Sequence, residues 1–346
     1  MNKVLSVVFV LGAFFVALPA HAHHSFAATF TNEVISVEGV VERVKFSNPH
    51  VIVYFNVTED DGRERVWHAE GGSPTSLRTQ GWDNDTLSAG DYIRVTGNST
   101  RNGSPMVSMN EEGSVQFVNP ATGAVTGSPG HAVADTNVVT GMPLQLPDGQ
   151  PNFSGVWTGE ATGRVGRPID NVPPMAYNEI GAAIQAEFDP VNDPQVWCEP
   201  PGLVRQAGFT PHPVRIEQHD DRVVISYEEY GGVRTVYFDD RDMVGGEKTH
   251  LGQSMARYEG QNLIIESNNM LANLAATSGN LLSDQTTTVE TYYRQDTYEG
   301  RAVLMMDIVA TDPVYLLEPW TFTWGKYAEV DSAGYEFFGV ECAPPL

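Results

Sequence analysis

The stretch Ala20-His21-Ala22-His23-His24-Ser25-Phe26 places three histidines within four positions. It follows Lys3 and an apolar run from Val4 to Leu18 that only Ser6 and Gly12 interrupt. Positive start, apolar run and alternating small residues are the pattern of an export signal, so residues 1–22 read as a signal peptide cut after Ala22 or Ala20. A cut after Ala22 exposes His23, whose α-amine and Nδ1 can chelate one ion. A further imidazole makes three nitrogens, which suits the tetragonal preference of Cu(II). His24 and His50 are the candidates for that third nitrogen. His68 and Glu70, two apart on a strand and so on one face, can complete or orient the set. A cut after Ala20 leaves His21-Ala22-His23, whose amine, two amides and third-position imidazole suit Cu(II) or Ni(II) in a square plane. The metal candidates are therefore His23, His24, His50, His68 and Glu70, and copper is the cofactor they imply. Polar residues beside a cleavage point, and a turn histidine bonded to backbone at His50, account for the same residues without a metal. Both readings stay open from the sequence.

Other catalytic patterns are absent: no GxSxG, HExxH, Walker A or GxGxxG occurs. The acidic pairs Glu228-Glu229 and Asp239-Asp240 fall at strand or turn ends and read as solvated. Cys198 and Cys342 are the two cysteines, neither in a CxxC spacing. In an oxidising compartment they are expected to form one disulfide.

The 346 residues carry 44 acidic and 20 basic side chains, a net charge of -24. That charge repels phosphate backbones, so nucleic acid is not the expected partner. No stretch after the leader approaches the ~20 apolar residues of a membrane-spanning helix. A periplasmic or secreted, soluble mature chain is the expectation, with no transmembrane segment.

These residues need elements to position them, and the patterning is all-β. Residues 23–118 hold five short alternating runs with a helix signal, Ser73-Pro74 to Gly81, between the third and fourth, which suits a small OB-like five-stranded barrel. Residues 119–151 are Pro/Gly-rich and read as a linker. Residues 152–346 hold eight or more strand patterns and one helix within "MAYNEIGAAIQAEF", which predicts a larger antiparallel barrel, closed to avoid exposed edges. Trp157, Arg234 and Trp320 are the candidates to line a ligand cavity in it. The alternative is that the aromatic residues fill the core and that Arg205, Arg215, Arg234 and Arg294 pair with core carboxylates.

Residues 23–118 resemble an exported bacterial family known only as a domain of unknown function, on "AHHSFAATF", "GVVERVKFSNPHV", "WHAEGGSP", "LRTQGW" and "GDYIRVTG". Residues 152–346 resemble a second uncharacterised exported family with a lipocalin-like or calycin-like barrel, on "FSGVW", "CEPPG", "RVVISYE", "SMARYEGQNLIIES", "VETYYR" and "PWTFTW". Many members of that family have a histidine where this chain has Gln253. The expectation is a binding protein rather than an enzyme, holding copper through its processed terminus and taking a small apolar ligand or a protein partner in the large barrel. A copper-dependent periplasmic redox enzyme and a structural envelope protein are the alternatives.

Overall fold

The computed structural model describes residues 29–48, 50–59, 61–109, 113–130, 141–158, 173–208, 212–243, 245–275, 279–295, 302–328 and 335–338. The first sheet is built from β1 (Phe30–Lys45), β2 (Ile52–Thr58), β3 (Glu64–Glu70), β4 (Tyr92–Thr100), β5 (Met106–Ser108), β6 (Val115–Val118) and β7 (Val125–Gly127). Strict alternation in β2 sends Val53, Phe55 and Val57 inward, where they meet Ile93, Val95 and Val107. β1 is 16 residues long and serves two partners: Val34 to Val40 pair with β4, and Val40 to Lys45 with β2. A register shift between Val41 and Arg43 bends it from one to the other. β3 pairs parallel with β5, β5 touches β4, and the ring β1-β2-β3-β5-β4 returns to β1.

Two glycines make this closure possible. A Cβ at Gly39 would sit 2.3 Å from the Asn56 carbonyl oxygen, and one at Gly97 only 1.8 Å from that of Ser108. Strands that cross this closely tolerate no side chain there. The expected helix forms over Pro74–Thr79, capped by Ser73, whose Oγ accepts from the Ser76 amide at 3.1 Å. β7 lies in the stretch expected to be linker and continues the sheet by pairing with β6.

The second unit is a nine-stranded closed barrel of β8 (Gly155–Thr158), β9 (Val214–Gln218), β10 (Arg222–Tyr227), β11 (Val233–Tyr237), β12 (Gln253–Glu259), β13 (Asn262–Asn268), β16 (Thr287–Arg294), β17 (Val303–Thr311) and β18 (Trp320–Ala328). The short strands β14 (Asn273–Leu274) and β15 (Leu281–Leu282) pair with each other. Every neighbour in the barrel is antiparallel except β11 and β12, which run parallel and share a single register pair, Tyr237 with Met255. A parallel pair needs a long crossover, here from 238 to 252.

Trp157, Tyr227, Tyr292, Phe322 and Trp324 are buried in one apolar cluster with Leu263, Ile265, Leu304 and Met306. The aromatic residues therefore fill the core. The expected helix is Glu179–Ala186, with Asn178 Oδ1 accepting from the Ile180 and Gly181 amides, both at 3.0 Å. A second helix, Leu203–Gly208, was not expected; all six of its residues are buried. Its last residue, Gly208, faces Phe322 and Trp324 on the inner side of β18. No described helix is long and apolar enough to cross a membrane.

The expected Cys198–Cys342 disulfide requires correction. No disulfide lies wholly among the described residues: Cys198 is not a free thiol, and Cys342 falls outside them.

Candidate functional site

The metal reading is the second correction. His23 and His24 lie outside the described residues. His50 spends its Nδ1–H on the Gly71 carbonyl at 2.8 Å, with Glu70 Oε1 3.9 Å away. His68 projects from β3 edge-on to the ring of Tyr54, centroids 4.6 Å apart, and the Arg43 guanidinium stacks 3.4 Å above that ring. Burial, and then the Arg43 charge, lower the pKa of His68. One histidine is thus committed to backbone and the other to an aromatic stack beside a cation. Among the described residues no group of three or more His, Cys, Asp or Glu side chains could hold a metal ion.

The large barrel offers a better-built site. Alternation in Val233–Tyr237 turns Arg234 and Val236 inward. Arg234 is 4% exposed, and its guanidinium meets Glu290, itself 0% exposed, at 2.9 and 3.0 Å. The same guanidinium donates to Tyr227 Oη, Ser254 Oγ and Ser267 Oγ, each at 3.0 Å. Tyr292 Oη donates to Glu290 Oε2 at 2.8 Å. Residues from β10, β11, β12, β13 and β16 are thereby tied across the interior. Burial works against the Arg234 charge, but Glu290, Tyr227 and Tyr292 together outweigh it and hold the guanidinium above its ordinary range. Burial also raises the Tyr227 and Tyr292 hydroxyls, which remain protonated donors. The pair cancels its own charge, so the network is polar but neutral.

This network meets solvent at the weak seam. Because β11 and β12 share only one pair, their ladder opens beside Arg234 and Ser254, leaving a cleft of about 480 Å³. The crossover supplies Asp242, Thr249, His250 and Leu251 to its wall, and Tyr230 with Gln206 completes it. Two buried polar atoms among the lining residues have no hydrogen-bond partner: Arg234 Nε and Tyr230 Oη. Tyr230 also holds a left-handed backbone, φ 56°, which costs energy in any residue with a side chain. Gln253, where relatives were expected to carry histidine, lines the same cleft and donates to the Gly245 carbonyl at 2.5 Å.

The three expected ligand residues are not brought together. Arg234 lines the cleft, whereas Trp157 is core, its Nε1 donating to the Phe153 carbonyl at 2.9 Å. Trp320 stacks on Phe322 and donates to the Pro173 carbonyl at 2.8 Å. Arg205 pairs with buried Asp193, as the alternative reading anticipated. Sequence reasoning missed Ser254, Ser267 and Glu290. Glu290 had a signal, since "TTVETYYR" alternates so that Glu290 shares the inward face with Tyr292.

A search of curated proteins finds no match to this chain. Residues 13–108, which include β1 to β5, match the profile of a family described as "Family of unknown function (DUF6152)".

Proposed function

We propose that this chain is an exported binding protein whose large barrel takes a small uncharged molecule into the side cleft between β11 and β12. The single observation that carries the reading is the pair of unpartnered polar atoms, Arg234 Nε and Tyr230 Oη, among the lining of one cleft. Leaving such donors unmet costs about 1–3 kcal/mol each, a cost that a ligand acceptor relieves once the lining side chains turn to expose them to the cleft. The cleft's volume falls within the ~300–1,000 Å³ range of small-molecule sites. Glu290 already neutralises Arg234, so a ligand carbonyl or amide oxygen fits better than a carboxylate. The leader sequence supports export. The ring order of the small barrel, with its helix between β3 and β4, supports an OB-like reading. Nine strands and a parallel seam depart from the eight-stranded up-and-down lipocalin pattern, so "lipocalin-like" describes a closed barrel with side access.

A matched probe set tests this: benzamide, benzoate and benzylamine, followed by ligand-observed NMR on the full chain. Benzamide should bind, the two charged analogues should not, and Tyr230→Phe should abolish the signal. Binding that survives Val233→Trp, a substitution that fills the cleft wall, would place the ligand elsewhere and sink the reading. So would the failure of all three probes.

A further inference from the structure

The segment Tyr335–Phe338 lies against both barrels. Phe338 sets its ring edge-on to Phe46 of the small barrel, with centroids 5.7 Å apart and planes at 66°. Arg78, in the last turn of the Pro74–Thr79 helix, holds its guanidinium 4.9 Å from the same ring centroid. Asn48 donates from Nδ2 to the Phe338 carbonyl at 3.3 Å. On the other side, the Phe338 amide donates to Glu228 Oε2 at 3.2 Å. Arg215 of β9 donates to the Tyr335 carbonyl and stacks 4.9 Å from the Phe337 ring.

Asn48 is the unusual member. It is 0% exposed, yet its Oδ1 has no hydrogen-bond partner. With the segment in place Asn48 gives one amide hydrogen to the Phe338 carbonyl while its Oδ1 stays unmet, so its hold on the segment is through the donor alone. Phe46 and Arg78 add an aromatic wall and a cation above the ring, which select an aromatic residue at the position so held.

We infer that Phe46, Asn48 and Arg78 form a docking surface on the small barrel for a peptide segment bearing a phenylalanine, and that this chain fills it with its own Tyr335–Phe338. The segment acts as a strap: Arg215 and Glu228 fix it to the large barrel, and Phe338 plugs it into the small one. The surface reads the backbone through Asn48 and the ring through Phe46 and Arg78, so the same site accepts a matching segment supplied in trans.

Limited proteolysis of the full chain tests this, scoring cleavage between the two barrels. Phe338→Ala should speed that cleavage about tenfold, the scale of losing part of a buried aromatic ring, and Arg78→Ala about two- to fivefold, the scale of an exposed cation–π contact. Arg78 is exposed, so its substitution leaves the fold intact even if Phe338→Ala proves unstable. A synthetic peptide of residues 331–340, added in excess, should slow the cleavage of Phe338→Ala but not that of Arg78→Ala. Wild-type cleavage in both variants would overturn the inference. A loosened Phe338→Ala that the peptide fails to slow would overturn it equally, reducing the surface to ordinary intramolecular packing.

Discussion

Arg234 combines two properties that seldom coincide: it is fully paired in charge and incompletely paired in hydrogen bonds. Removing it strands Glu290 in an apolar interior. Arg234→Ala should therefore destabilise the barrel by about 3–5 kcal/mol, read from urea unfolding followed by near-ultraviolet circular dichroism. The double replacement Arg234→Met with Glu290→Leu should recover most of that loss, since it removes the buried charge rather than orphaning it. A loss below ~1 kcal/mol in the single variant would show that Glu290 finds solvent, against its 0% exposure. The inward face of Arg234 was legible from alternation in its strand. Its partner was not, because Glu290 comes from β16 and only barrel closure sets the two side by side.

At the scale of elements, the two barrels close by different means. The small one depends on strands crossing so tightly that Gly39 and Gly97 admit no Cβ. Gly97→Ala should cost about 1–3 kcal/mol, because the obstructing atom is a backbone oxygen that cannot swing aside. Hydrogen exchange should show the loss in β4 and β5 while the strands of the large barrel keep their protection. Equal loss in both would mean that the barrels unfold as one unit. The large barrel closes instead through a seam one register pair wide, and that weakness creates the cleft. Strand existence, the Ser73-capped helix and the Asn178 helix region followed from local pattern and capping chemistry. The seam did not, since local sequence carries no signal for how far two parallel strands diverge.

At the scale of the whole molecule, His212 sits where the parts meet. It is 4% exposed, 4.0 Å from Glu228 and 3.8 Å from Glu229, and its carbonyl accepts from buried Lys326 at 2.8 Å. Burial, then Lys326 and His50, push its pKa down to about 3. The His50 influence comes from the small barrel. Between the unfolded value of 6.5 and about 3, the unfolded chain takes up a proton that the folded chain refuses. Stability should thus fall as pH drops through that window, by at most roughly 1.4 kcal/mol per pH unit. His68, lowered by burial and Arg43, adds in the same direction. Urea midpoints measured from neutral pH down to about pH 5 should show the slope, and His212→Gln should flatten it. An unchanged slope in that variant would assign the pH dependence to other groups.

The sequence by itself determined the all-β class, the short strands of the small barrel with a helix between the third and fourth, the Ser73 cap of that helix and the inward placement of Arg234. Each of these rests on contacts between near neighbours or on a period of two, which a linear string records. Tertiary structure decided the rest: that His50 and His68 turn to backbone and aromatic partners instead of one ion, that Trp157 and Trp320 pack while Arg234 borders a cleft, and that Phe338 reaches Asn48 across 290 positions. The physical reason is common to all three. Burial and hydrogen-bond completion are properties of surroundings assembled from distant segments, and a buried polar atom left unmet is visible only once those surroundings exist.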